Sequence, residues 1–191
     1  MNRDLSLKIR TVEELKDYVN SGNKVKYVYF WGHQNTRLEV SKTCFSQWYE
    51  SEFIDCCLAY MTAEHYMMAE KAKLFNDHGT YEKIIGASNP GEAKALGREV
   101  KGFDESVWEN CRFGIVVKGN TLKFGQNPDL KEYLINTGDR VLVEASPVDR
   151  IWGIGLAADN QKIENPNLWR GLNLLGFALM EVRDVLQQPS A

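Results

Sequence analysis

Hydrophobic and polar positions alternate at helical spacing over most of this chain and at strand spacing in only a few short runs. The clearest helical stretch is Met61–Phe75. Thr62 is suited to an N-cap, good helix formers follow, and Asn76-Asp77-His78-Gly79 supplies a stop. At about 100° per residue, Glu64, Met68, Lys71 and Phe75 share one stripe, flanked by Met67, Ala72 and Leu74, while Tyr66, Glu70 and Lys73 face away. Thr11 and Glu14 form a capping-box signature for a short helix ending at Ser21-Gly22-Asn23. Further helices are predicted over Thr80–Ala87, from Pro90, and from Phe103-Asp104-Glu105 to a break at Gly119-Asn120. Two more run from Asn127-Pro128 through Tyr133 and from Trp169, the last carrying Leu172, Leu175, Leu179, Val182 and Leu186. Strands are predicted over Lys24–Trp31 and Arg140–Ala145, with short extended pieces near Ser51–Ile54 and Leu58–Met61. Gly32-His33-Gln34-Asn35 and Thr137-Gly138-Asp139 read as turns. The pattern predicts an α+β fold, a mostly helical single domain around a small β-sheet.

Composition narrows the classes. With 191 residues, 43% hydrophobic and 26% charged, one domain with a sizeable core is expected. A formal net charge of −3 excludes a global basic field for nucleic acid or membrane, although a local basic groove stays open. The first ten residues lack the apolar centre of a signal peptide, and the run Leu172–Met180 is too short for a bilayer. Cys44, Cys56, Cys57 and Cys111 form no C-x-x-C pair and read as reduced thiols of a cytoplasmic protein. Three histidines without useful spacing argue against a zinc site, and no metal or cofactor is expected.

Candidate chemistry gathers in three places. The first is the Glu64/Lys71 stripe, where two charges sit on the greasiest helix face and are costly unless matched. Seven residues separate them by roughly 10 Å along the axis, too far for an ion pair but within reach of a ligand held between them. The second is Trp108 with Arg112, a stacking plate one turn from an anion clamp. The third is Glu144–Gly155, where a strand ends in a polar loop carrying Asp149 and Trp152. Each has a plainer reading: a solvated rim, a core tryptophan beside a surface arginine, and a turn-forming aspartate. Gly153-x-Gly155 lacks the rest of a dinucleotide fingerprint, and no G-x-S-x-G, P-loop or H-E-x-x-H occurs. No spacing favours a cysteine–histidine pair.

The chain resembles the NADAR, or YbiA-like, N-glycosidases. The resemblance runs from Tyr29 to Leu186 and is carried by Phe45-Ser46-Gln47-Trp48-Tyr49, Thr62–Lys71, Trp108 with Arg112, and Lys123-Phe124-x-Gln126-Asn127. It continues through Leu134-x-x-Thr137-Gly138, Val143–Gly155 and Trp169-x-Gly171-x-Asn173-x-Leu175-Gly176. Family members often carry Asn where Gln47 stands, and Gln or similar residues around Met68 and Glu70. Residues 1–25 then form an N-terminal extension with a short helix, and residues 26–191 the family domain.

The resemblance implies hydrolysis of an N-glycosidic bond between ribose and a base or amine. Two substrates fit: ADP-ribose on a guanine base, free or in DNA or RNA, and the phosphoribosylamino-pyrimidines of early riboflavin synthesis. Both join an amine to an anomeric carbon. The family analogy favours Lys71 as an amine that displaces the base by transimination, with Glu64 moving protons. In the competing route Glu64 or Asp149 steadies an oxocarbenium-like transition state. Substrate contacts are expected from Trp108, Trp152, Arg112, Tyr66, Asn127 and Ser46. Two readings of other classes are a non-catalytic ADP-ribose-binding module and a helical partner-binding domain. No oligomeric state follows from the sequence.

Overall fold

A computed structural model of the protein describes residues 8–34 and 39–188, so the expectations for the first seven residues and for Asn35 fall outside it. The chain divides into two compact units, one built from residues up to Gly32 together with Tyr133 onward, the other from His33–Glu132.

In the first unit the expected capping box opens helix α1 (Val12–Asn20): Thr11 accepts from the Glu14 N–H, and the Glu14 side chain accepts in return from the Thr11 N–H. Strand β1 (Tyr27–Phe30) pairs in parallel with β4 (Val141–Glu144), with Tyr27 opposite Val141 and Phe30 opposite Glu144. Val141, Leu142 and Val143 are all buried, the run expected of a strand covered on both faces. Helix α7 (Leu174–Gln187) packs on β4. It begins at Leu174 rather than at Trp169, because Asn173 adopts a left-handed conformation with φ +53. The Asn173 side chain accepts from the Glu144 N–H at 3.0 Å and donates to the Leu142 carbonyl at 2.9 Å, taking the place of a neighbouring strand. Trp169 lies before the helix, buried, with its indole N–H on the Ile163 carbonyl at 2.7 Å.

The second unit contains the hairpin β2 (Phe53–Asp55) and β3 (Leu58–Tyr60), followed by helices α2 (Ala63–Leu74), α3 (His78–Ile85), α4 (Pro90–Gly97) and α5 (Glu105–Gln126). Helix α6 (Pro128–Ile135) follows in the chain. The mostly helical α+β expectation holds, with the strands forming two separate pairs. Helix α2 contacts α3, α4 and α5 and is buried from Ala63 through Ala69. It has no solvent face at its N-terminal half, so Tyr66, expected to point away, is only 1% exposed. Asp77 ends the linker after α2 and caps α3 at once, accepting from the Thr80 N–H and, through its other oxygen, from the Lys101 N–H. These bonds, led by that to Lys101, hold its carboxyl down at about 2.

Gly119-Asn120 does not break α5, which runs unbroken for 22 residues. A Cβ at Gly119 would lie 2.6 Å from the Tyr66 ring, so the glycine is there for close helix approach. Gly119→Ala is therefore expected to destabilise the protein by about 1–2 kcal/mol, overpacking outweighing the better helix propensity. Gly114 in the same helix faces open space, and Gly114→Ala should stabilise by ~0.5–1 kcal/mol. Urea denaturation of both variants checks the opposite signs.

The α2 start holds a second testable feature. Thr62 caps the helix, and its hydroxyl lies 2.8 Å from His65 Nδ1, while Nε2 lies 3.2 Å from the Ala87 carbonyl. A carbonyl only accepts, so Nε2 carries the proton and Nδ1 accepts from Thr62. Burial lowers the His65 pKa. The unfolded chain then binds this proton more readily, so the stabilising contribution is complete above about pH 6.5 and erodes as pH falls below it. Thermal melts across that window should show a drop that His65→Asn reduces.

Candidate active site

Lys71 occupies the last turn of α2, half-buried. Its Nζ donates to the Gly97 carbonyl at the end of α4 at 2.7 Å, and sits 4.3 Å from the Phe103 ring centroid and 5.6 Å from that of Trp108. Desolvation lowers its pKa. Beyond its own helix, apolar surroundings for Lys71 come from the segment between α4 and α5, and Met68 packs against Gly97, whose carbonyl the amine meets. Phe75 contributes indirectly, meeting Phe103 edge-on at 5.3 Å.

At the other end of α2, Glu64 is 2% exposed in the first turn, where the helix dipole favours a carboxylate. Its backbone N–H donates to the Gln47 carbonyl at 2.9 Å. The Gln47 side chain in turn accepts from Asn120 Nδ2 at 2.7 Å, and Asn120 also donates to the Val116 carbonyl one turn back in α5. Lys123, one turn further along α5, is wholly buried and donates to the carbonyls of Cys44 (2.7 Å) and Ser46 (2.9 Å). Burial brings its pKa down to about 7. A neutral amine has two N–H donors, enough for both carbonyls. Lys123 thus ties the 44–47 segment to α5 and is shut off from any ligand, whereas Lys71 is reachable. Of two desolvated lysines, only Lys71 combines a lowered pKa with access.

Trp108 and Arg112 lie one turn apart on α5. Arg112 is 8% exposed, with Nη2 on Glu109 at 3.2 Å and no hydrogen bond to buried Nε among the described residues. A buried guanidinium facing one half-exposed carboxylate is incompletely matched, a setting that suits a phosphate. Lys71 and Trp108 are brought together, and Arg112 follows on the same helix.

Other expected contacts are placed differently. Tyr66 is buried, its hydroxyl donating to Asp55 at 3.1 Å, and Asp55 also pairs with Lys118 at 2.8 Å. The Asn127 amide donates to the Glu52 and Lys123 carbonyls, closing the end of α5. Ser46 Oγ accepts from the Trp48 N–H. In the first unit, Asp149 Oδ1 accepts from the N–H groups of Ile151 and Trp152, both at 2.8 Å, as a turn-forming aspartate does. Trp152 is half-buried in that turn. Gly153 is not a phosphate loop: a Cβ on Gly171 would lie 2.3 Å from its carbonyl, so the two glycines mark a backbone crossing.

Four participants escape a reading of the sequence: the Gly97 carbonyl, Phe103, the Gln47–Asn120 pair and the Lys123 clamp. Phe103 is visible there only as the residue opening a helix. The others depend on long-range contacts that no local spacing encodes.

Comparison with known proteins gives the setting. The NADAR domain model matches residues 29–187. N-glycosidase R617 of Acanthamoeba polyphaga mimivirus is 44% identical over 168 residues, covering 85% of this chain and 98% of that protein. N-glycosidase YbiA of Escherichia coli is 32% identical over 125 residues, 65% of this chain and 69% of its own. The chloroplastic riboflavin biosynthesis protein PYRR of Zea mays is 35% identical over 129 residues, which are 64% of this chain but only 19% of that protein. The solution structure of Escherichia coli YbiA superposes with a TM-score of 0.66 at 24% identity, covering 95% of this chain and 90% of that one, and shares the fold. The chain belongs to the NADAR domain family and is a hydrolase acting on N-glycosyl compounds.

Proposed function

We propose that the protein removes ADP-ribose from guanine bases by hydrolysing the bond between the anomeric carbon and the base nitrogen, with Lys71 as covalent catalyst. The observation that carries this reading is the Lys71 amine: desolvated, still partly exposed, and set beside two aromatic rings. Glu64 shuttles the proton that reaches the ribose ring oxygen as the glycosylamine opens to an imine. Neutral Lys71 Nζ adds to the anomeric carbon, the base nitrogen takes a proton and leaves, and a lysine Schiff base remains. Water hydrolyses it to the free sugar and the amine. Arg112 holds a phosphate and Trp108 stacks on a planar group.

The competing route, in which Glu64 or Asp149 steadies an oxocarbenium-like transition state, needs no lysine and leaves the desolvation of Lys71 without a use. A pure ADP-ribose-binding module would likewise have no use for it. The second substrate reading, a phosphoribosylamino-pyrimidine of riboflavin synthesis, draws on the name of the maize relative. Guanine is preferred because the amine lies beside two aromatic rings that suit a fused base. The guanine can be carried by nucleoside, DNA or RNA. No helix among the described residues is long and apolar enough to cross a membrane. The cysteines, free in this structure, support a cytoplasmic setting.

The test is incubation with an ADP-ribosylated guanine oligonucleotide and, separately, with the riboflavin intermediates, followed by mass spectrometry. Release of ADP-ribose and intact guanine is expected from the first; turnover of the second alone would overturn the substrate assignment. Lys71→Ala and Lys71→Arg should each lose turnover at least about a hundredfold while melting as the wild type does. Borohydride added during wild-type turnover should leave a sugar adduct on Lys71. Near-normal turnover by Lys71→Arg would exclude the imine route.

A further inference from the structure

Phe103 is a large apolar side chain left 45% exposed, yet two side chains meet its ring and the backbone is fastened on either side of it. Its ring meets Phe75 edge-on at 5.3 Å, and its face carries the Lys71 ammonium at 4.3 Å. The preceding backbone turns at Gly102 with φ +70, a conformation that suits glycine. One residue earlier, the Lys101 N–H is pinned by Asp77 at 2.9 Å. Immediately after it, Asp104 caps α5 by accepting from the Val107 N–H at 3.0 Å. An exposed phenylalanine on a loose loop needs no explanation, but one fastened at both flanks beside a reactive amine does.

Substrate geometry supplies one. For Lys71 Nζ to attack, the anomeric carbon must come within about 3–3.5 Å of it. The leaving nitrogen is bonded to that carbon, and a base bonded to that nitrogen falls in the same small volume around Nζ that Phe103 already borders. Trp108 borders it too, but from a greater distance and with its ring half-buried. A planar base arriving there covers the apolar surface of Phe103 and displaces water from it.

We propose that Phe103 is the specificity-determining residue for the leaving group, the plate on which the aromatic base stacks while the sugar is presented to Lys71. The assignment rests on Lys71 being the reacting amine. It makes the substrate class one whose leaving group is a flat heteroaromatic base rather than an aliphatic amine, and it leaves Arg112 to the phosphates. Phe103 acts through binding, so its loss weakens affinity for the base-carrying substrate and spares affinity for the sugar-phosphate part.

The experiment compares two probes, ADP-ribosyl-guanosine and ADP-ribose, by isothermal titration against Lys71→Met protein, which binds without turning over. The base-carrying probe is expected to bind about tenfold tighter than ADP-ribose. Adding Phe103→Leu should abolish that preference while leaving ADP-ribose affinity within about twofold, and adding Phe103→Tyr should keep the preference. If the preference survives Phe103→Leu, is absent to begin with, or if both probes weaken equally, the proposal is wrong. Should the leucine variant melt below the assay temperature, the same ratio in Phe103→Met decides. Borohydride trapping on the wild type is a separate readout: a missing Lys71 adduct overturns the covalent reading, whereas the binding ratio judges Phe103 by itself.

Discussion

The burial of α2 constrains everything around it. A helix enclosed by α3, α4 and α5 has little water to offer its polar groups, so each must be matched within the protein or be shifted in its chemistry. His65 is matched by Thr62 and the Ala87 carbonyl, and Tyr66 by Asp55. Lys71 is matched only in part, by one carbonyl and two ring faces, with burial as the resolved influence on its titration. In the proposed mechanism that incomplete match, with the lowered pKa, is what lets the nitrogen act as a nucleophile.

The rest of the 33–132 unit can be understood as a frame for this helix. Helix α5 approaches closely at Gly119, which brings Trp108 and Arg112 alongside the C-terminal half of α2 and Asn120 and Lys123 toward its start. Lys123 and Asn120 fasten the 44–47 segment, and Gln47 in turn receives the Glu64 N–H. The two lysines illustrate one principle with opposite outcomes. Both are desolvated, but Lys123 has its donors spent on two carbonyls and no path to solvent, so it fastens backbone, while Lys71 remains partly exposed.

Much of this is legible in the sequence for local reasons. Thr11, Thr62, Asn89 and Asp104 each announce a helix start, and each caps one through its own side chain. Glu64 and Lys71 stand out because charges on an apolar stripe need an explanation. Periodicity fails where tertiary contact overrides it. Gly119-Asn120 reads as a breaker until the Tyr66 ring explains the glycine, and Trp169 reads as helical until Asn173 turns the backbone left-handed four residues later. The stripe puts Tyr66 on the opposite face without saying that this face too is buried, because a one-face picture cannot describe a helix packed against α3, α4 and α5. Phe103 and the Gly97 carbonyl reach Lys71 from 26 to 32 positions away in sequence, beyond any local pattern.

The most direct measurement is competitive labelling of amines with a trace amine-reactive reagent across pH, read residue by residue by mass spectrometry. Lys71 should label with an apparent pKa below that of the surface lysines, and Lys123 should stay unlabelled while the protein is folded. A Lys71 that titrates with the surface lysines, or one that cannot be labelled at all, would contradict the account.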